Sequence, residues 1–537
     1  MTSMTQMKTA DELALWQPRS GISPTMAGTA VCSFLDTATT SMGRATHYNT
    51  REEQQEAELR AHAELLDMSR DLYTVLLALP GVTDRSVQVG MKKLLSSHRN
   101  GNDEFLTPAM ERAVLYHLIQ ALPVPRMLRL MDAFRFGNPE LGVNRANNSR
   151  TRKLILRTLL ASPRLPLWSV KYRSKMASSL THAWGKRLAS ILREILRKES
   201  FNLTAKDKAI LGQNLDKFVS GSDKRVKEAR ECVAFVLGVR EHLSLPLLKA
   251  FEAAKTDLKK GSKLPMEVLE GIRSTFHKDV DKDEILKLAV KGGGMTDHQK
   301  KAVQKRAKAA NVEVKMDPTR YEAVELYLYA FEMGLDQSIT KALKDKALRA
   351  AAAFPARYGD VGILVDASAS MKGHKTQALR PMAATLALRD MLQQVGERES
   401  TIYVGGQMGD LVRPMGDTAL ADGLVEVLEG SPDVVFVLSD GYENTPAGRF
   451  AEVMEQVREI GVQTPVYHLN PVFAAESTGV RELASGLVPT MPVKSPTGLG
   501  TTMLRGLIEA EPVRGINSLV RMALTSGPAE MKFLAEG

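Results

Sequence analysis

Near residue 353 the spacing of apolar residues changes, and the two patterns on either side require different kinds of core. From Arg51 to about Ala353 apolar residues recur every three or four positions, in LLDMSRDLYTVLLAL, AMERAVLYHLIQAL, RTRKLILRTLL, KRLASILREIL, AILGQNLDKFV and YEAVELYLYAF. That is the period of helices with one buried stripe. Beyond it, the β-rich runs GILVD, TIYVGG, VVFVLS and PVYHL alternate with the helical stretches TLALRDMLQQV, ALADGLVEVLEG and RFAEVMEQVREI. Alternating strand and helix predicts a parallel sheet covered by helices on both faces. A chain of 537 residues divides into two or three domains. The expected parts are an extended arm over residues 1–50, an all-α helical-repeat array over 51–355, and a doubly wound α/β domain over 356–537. Short breaks such as LPVPR and SPRLPLW suit stacked antiparallel helix pairs. The run Lys291-Gly292-Gly293-Gly294 is the expected hinge of the array, followed by a helix that Thr296 and Gln299 open as a capping box.

An open parallel sheet carries its ligands on loops after its strands, where strand order reverses. The strand Val361–Val365 runs into Asp366-Ala367-Ser368-Ala369-Ser370, and the strand Val434–Ser439 into Asp440-Gly441. Between them, Gly416-Asp417-Thr418 opens a helix. Asp366, Ser368, Ser370, Thr418 and Asp440 all offer oxygen, which selects a hard cation: Mg²⁺, or alternatively Mn²⁺ or Ca²⁺. The low carboxylate count favours Mg²⁺, with a coordination position left for a partner's carboxylate or a phosphate oxygen. The elements DASAS, GDT and SDG resemble the metal-ion-dependent adhesion site of von Willebrand factor A domains, over about residues 356–500. The resemblance implies that Ser368 and Ser370 ligate the metal directly, Thr418 in some states, and the aspartates directly or through water.

Charge is divided as sharply as periodicity. Residues 356–537 carry 15 Lys and Arg against 22 Asp and Glu, whereas residues 1–355 carry 57 against 40. Between Arg150 and Lys198 stand thirteen basic residues and one acid, Glu194, interleaved with Trp168, Tyr172 and Trp184. Cations among aromatic and amide side chains suit phosphates and stacked bases. A helical array followed by an A-type domain resembles the Ro (TROVE) family of RNA-binding proteins. The segment Leu167-Trp168-Ser169-Val170-Lys171-Tyr172-Arg173 is similar to a Lys-Tyr stretch of that family's helical module, although the pattern expected after it is replaced by SKMASSLTHAWG. The resemblance implies a ring of helices closed by the A domain, with small structured or misfolded RNA bound on its basic surface. Lys171, Arg173, Lys186 and Arg187 are the expected phosphate contacts.

Other readings are excluded by detail. Asp279–Asp283 opens like a calcium loop but has Glu284 in place of the glycine and Val290 in place of the closing acid. Gly373-His374-Lys375-Thr376 lacks the contiguous Gly-Lys-Thr of a phosphate loop. Without a catalytic motif, the expectation is a binding protein and not an enzyme. Two distant cysteines, Cys32 and Cys232, and the lack of a signal peptide or 18-residue apolar run lead to the expectation of a cytoplasmic, non-membrane protein. RNA and a protein partner at the cation site are the expected ligands, without DNA sequence specificity. A second reading is an accessory protein whose A domain docks on an AAA+ ATPase of the MoxR or chelatase kind.

Overall fold

The structure, a computed structural model, describes residues 16–40, 50–99, 105–138, 145–352, 354, 357–373, 378–472 and 481–527. The chain is mostly helical, with a five-stranded, all-parallel sheet near the C-terminus. Among the described residues no helix is long and apolar enough to cross a membrane.

Contacts gather the chain into two compact units, and these do not follow the expected boundaries. The first unites residues 1–118, 140–142 and 321–537; the second comprises 119–139 and 143–320. The chain thus leaves the first unit, builds the second, and returns.

The first unit opens with α1 (Pro24–Thr40), α2 (Arg51–Met68), α3 (Arg70–Leu76), α4 (Asp84–Ser96) and α5 (Pro108–Ala121). Helix α1 corrects the expectation of an extended arm over 1–50; residues 1–15 and 41–49 lie outside the described residues. Its small residues hid it, because a helix buried nearly all round has no polar face to give a period. Ala27, Val31, Phe34, Leu35 and Ala38 are all fully buried. Ser69 divides the expected LLDMSRDLYTVLLAL helix, ending α2 and capping α3 through its hydroxyl.

The second unit contains α6 (Val124–Phe136), α7 (Ser149–Leu160), α8 (Leu165–Lys171), α9 (Arg173–Trp184), α10 (Lys186–Arg197), α11 (Ala205–Asn214) and α12 (Asp223–Val236). It continues with α13 (Pro246–Ala254), α14 (Met266–Phe276), α15 (Lys282–Gly292), α16 (Asp297–Ala302) and α17 (Gln304–Ala309). Among the described residues every element from Arg51 to Ala352 is helical, as the three- and four-residue spacing predicts. One core of this unit is built from Phe235, Leu248, Phe251, Leu264, Leu269 and Ile285. The triple glycine is not a loose hinge but a point of close packing. A Cβ on Gly292 would lie 1.6 Å from the Ser262 carbonyl oxygen, and one on Gly294 2.1 Å from that of Leu264. The Thr296–Gln299 capping box forms as expected.

The chain re-enters the first unit through α18 (Ala323–Met333) and α19 (Gln337–Ala352). Strands β1 (Tyr358–Asp366), β2 (Gly396–Val404), β3 (Val434–Leu438), β4 (Val466–Asn470) and β5 (Thr490–Pro492) then alternate with α20 (Arg380–Leu392), α21 (Leu420–Glu429) and α22 (Arg449–Glu459). Helices α23 (Pro496–Ala510) and α24 (Pro512–Ser526) close the unit. The strand order is β2-β1-β3-β4-β5, so the order reverses at β1. All of β3 and the last six residues of β1 are buried, and both faces of the central strands are therefore covered. On one face Leu364, Val435 and Val437 pack with Leu420, Leu424, Phe450 and Met454 of α21 and α22. The expected array over 51–355 is therefore divided: α2–α4, most of α5, and α18–α19 belong with the sheet. The Trp16 N–H donates to Asn517 Oδ1 of α24 at 2.8 Å, and Asn517 Nδ2 donates to the Trp16 carbonyl at 2.9 Å, so the first described residue is tied to the last helix.

Candidate metal centre and basic surface

The reversal of strand order at β1 leaves the loops after β1 and β3 side by side. Asp366 ends β1, and its Oδ1 accepts the Ser368 backbone N–H at 2.9 Å. From the β3 side, the Ser439 hydroxyl donates to Asp366 Oδ2 at 2.7 Å. The Ser368 and Ser370 hydroxyls are 3.1 Å apart, and Ser370 is in hydrogen-bonding reach of Asp440. Asp440 Oδ1 accepts the Tyr442 N–H at 3.1 Å. Four of the five expected ligands, Asp366, Ser368, Ser370 and Asp440, thus form one connected group.

Thr418 is buried, and its loop is tied to both others. Gly416 carbonyl accepts from the Ala369 N–H at 3.0 Å, and the Thr418 N–H donates to Asn444 Oδ1 at 3.0 Å. Its hydroxyl makes no hydrogen bond to the other four, so it stands at the edge of the group. The approach of these loops requires Gly405, whose φ is +68°. A Cβ there would lie 2.8 Å from the Met415 carbonyl oxygen and 3.1 Å from Ser368 Cα.

Asp366 and Asp440 are almost wholly buried, at 0% and 4% exposure. Burial raises the Asp366 carboxyl, against hydrogen bonds from Ser368 and Ser439. Burial, then the charge of Asp366, pushes Asp440 up to about 6; hydrogen bonds from Tyr442 and Ser370 and the charge of Arg481 oppose it only in part. Two buried like charges with hydroxyls between them fit a hard cation, which would neutralise both. Ser370 is exposed and opens the group to solvent. Among the described residues no set of three or more His, Cys, Asp or Glu is placed to hold a metal. This group has two acids, and its remaining donors are hydroxyls.

Of three supporting residues, Ser439 belongs to the Ser-Asp-Gly element and two escape the motif reading. Ser439 is legible as the residue before Asp440-Gly441. Asn444 and His468 carry no sequence signal, being a loop amide and a lone histidine in a strand. His468 Nε2 meets the Ser439 carbonyl at 3.0 Å and Nδ1 the Thr490 hydroxyl at 2.9 Å, which steadies the strand end that bears Ser439.

In the second unit the basic stretch becomes α7–α10, and its four expected contacts part company. Lys171 Nζ is 2.8 Å from Glu267 Oε1, with its side chain only 12% exposed. The Arg173 guanidinium lies over the Phe251 ring, 5.2 Å from its centre. Both are engaged within the fold, because the short α8 turns them toward α13 and α14. Lys186 and Arg187, at the start of α10, are exposed. Trp168 and Trp184 are core residues, and Trp184 Nε1 donates to the Asn214 carbonyl at 2.9 Å. Neither offers a stacking face. Lys153, Arg164 and Arg193 are also exposed, and none of these three or of Lys186 and Arg187 has an ion-pair partner among the described residues. Glu194, the only acid of the stretch, is already 3.0 Å from Arg197 Nη1.

Comparison with known proteins finds no family model that matches the chain, and no curated protein that matches it.

Proposed function

We propose that this chain is an RNA-binding scaffold of the Ro (TROVE) kind, carrying a von Willebrand factor A-type domain whose cation site recruits a protein partner. The observation that carries the reading is that Lys153, Arg164, Lys186, Arg187 and Arg193 are exposed and, among the described residues, without an ion-pair partner, while the one acid of the stretch, Glu194, is taken by Arg197. Such a surface attracts phosphates regardless of sequence. The chain's route is in keeping with the family resemblance: residues 119–139 and 143–320 form a helical unit between segments that pack together in the unit holding the sheet. The buried free cysteines, both thiols pushed up to about 12 by burial, fit a cytoplasmic, reducing compartment.

At the cation site, the Ser368 and Ser370 hydroxyls and the Asp366 and Asp440 carboxylates would hold Mg²⁺, with Thr418 at the margin. When bound, the ion supplies a Lewis-acid position for a partner's carboxylate or phosphate. The protein's own contribution is to keep the donors together: Ser439 fixes Asp366, Tyr442 N–H fixes Asp440, and Asn444 fixes the Thr418 backbone.

Salt titration of RNA affinity tests the reading. The logarithm of the binding constant should fall linearly with that of salt, and reversing charge at Lys186 and Arg187 should flatten the slope by about 1.5, the value for two phosphates. An affinity indifferent to salt and to both substitutions would remove the RNA function. It would favour the motor-docking alternative, which needs no such dependence.

A further inference from the structure

Arg481 stands beside the cation site without being one of its ligands. Asn470, buried at the end of β4, donates through Nδ2 to the Asp440 carbonyl at 3.0 Å and to the Arg481 carbonyl at 3.2 Å. One side-chain amide thus ties the loop that bears Asp440 to the backbone that bears Arg481. The two backbones pass closely: a Cβ on Gly441, whose φ is +84°, would lie 2.8 Å from the Arg481 carbonyl oxygen. The Arg481 guanidinium lies over the Tyr442 ring, 3.7 Å from its centre, and the N–H of that same tyrosine is the one Asp440 Oδ1 accepts. Ring and guanidinium are half-buried, so an incoming group can reach them. A guanidinium held by a ring face presents its donors edgewise, in the fork that matches a carboxylate.

The charge of Arg481 acts on Asp440, and it suits an anion better than a metal. Asp366 and Asp440 bring two negative charges and Arg481 one positive, which leaves the group one charge negative. Asp417 and Lys372, exposed on the adjoining loops, offset one another, and Glu443 gives its carboxylate to the Phe450 N–H. A divalent ion alone would turn the group one charge positive, whereas the ion with a monoanion makes it neutral. A fixed cation near the ligands repels the ion and attracts the anion, so Arg481 opposes the first alone and favours the two together.

We infer that Arg481 is a second contact point for the group that the cation site binds, so that the site takes a divalent cation and a singly charged carboxylate together and holds either alone weakly. The inference rests on the cation-site reading and deepens it. A carboxylate of a protein partner is favoured over a phosphodiester because residues 356–537 carry 15 Lys and Arg against 22 Asp and Glu, a balance that repels a polyanion and tolerates a single acid side chain.

The test is Mn²⁺ binding to the full chain, followed by electron paramagnetic resonance in chloride and in acetate at equal ionic strength. In the wild type acetate should tighten Mn²⁺ binding, and by reciprocity Mn²⁺ tightens that of acetate. Arg481→Gln should bind Mn²⁺ alone about fivefold more tightly, through removal of the repelling charge, and should lose most of the effect of acetate. Damage to the fold weakens metal binding, so the sign of the change separates a charge role from a structural one. Tyr442→Leu keeps the backbone N–H to Asp440 and removes the ring beneath the guanidinium; it should retain Mn²⁺ binding and respond less to acetate. An Arg481→Gln protein that binds Mn²⁺ no more tightly than the wild type, or that keeps the full effect of acetate, overturns the inference and leaves the cation site standing. Dimethyl phosphate coupling more strongly than acetate overturns the choice of a carboxylate. If the wild type binds no Mn²⁺, the cation-site reading and this inference fall together.

Discussion

Asp440 and Asp366 are held close by groups that serve the metal centre better than they serve the metal-free fold. Ser370 reaches Asp440, Ser439 holds Asp366, and among the described residues neither carboxylate forms an ion pair. Their repulsion, added to burial, is what lifts Asp440 to about 6. Asparagine at position 440 keeps an acceptor for the Tyr442 N–H and removes one of the two charges. Asp440→Asn should therefore be more stable than the wild type in chelator, by about 1–3 kcal/mol, since Asp440 is lifted from 3.8 to about 6 and each unit costs the fold about 1.4 kcal/mol for keeping the carboxylate ionised. In excess Mg²⁺ the order should reverse, because the wild type gains about 2.7 kcal/mol at a hundredfold its Kd and the variant gains little. Thermal melts in chelator and in Mg²⁺ measure both. A wild type that Mg²⁺ leaves unmoved, with a variant less stable in both conditions, would mean that the two acids are merely structural.

Elements are legible where one face is apolar and the other polar. The amphipathic α10 and the alternating strands and helices after residue 356 follow that rule, and the D-x-S-x-S, Gly-Asp-Thr and Ser-Asp-Gly loops fall on the strand and helix ends expected of them. Helix α1 is illegible because it is buried nearly all round, and β5 because three residues, Thr490–Pro492, carry no period. Lys171 and Arg173 depart from expectation because charge in sequence does not reveal which cation finds Glu267 or Phe251. The glycines of α14 and α15 show the same limit, since composition alone does not separate a hinge from a close contact. Gly271 is helical with nothing within 4 Å of a Cβ, whereas Gly292 faces the Ser262 carbonyl at 1.6 Å. Gly271→Ala should stabilise by about 1 kcal/mol through helix propensity. Gly292→Ala should destabilise by at least about 2 kcal/mol, because backbone must move to admit the methyl group. Urea midpoints of the two variants give the comparison, and a Gly292→Ala protein as stable as the wild type would restore the hinge.

At the scale of the whole chain, the first unit is made from segments far apart in sequence. Besides the Trp16–Asn517 pair, the Thr501 hydroxyl donates to the Pro80 carbonyl at 2.8 Å, and Arg505 stands 3.3 Å from Asp36. Gly81 passes so close to Gly498 that a Cβ would lie 2.6 Å from its Cα. Two buried histidines, one from each end of the chain, therefore bear on a single folding unit. His62 of α2 is bonded through Nδ1 to the Tyr73 hydroxyl at 2.6 Å, and His468 of β4 braces the Ser439 strand end. Unfolded, an imidazole takes up a proton near 6.5. Folded, burial lowers His468 to about 4 and His62 to about 3. Between those values the folded unit binds fewer protons than the unfolded chain, so the stability from keeping them neutral is complete above about 6.5 and is lost as the pH falls toward 4 and then 3. His468 alone accounts for about 3 kcal/mol of that loss. His468→Gln cannot take up the proton, and its stability should decline less steeply from pH 6.5 to 4 even if its value at pH 8 is lower for want of the paired hydrogen bonds. Urea unfolding across that range, followed by a probe in the N-terminal helices and one in the sheet, measures the slope. Parallel slopes for wild type and variant would show that the histidine protons are not what acid acts upon, and separate transitions for the two probes would show that the chain ends do not fold as one body.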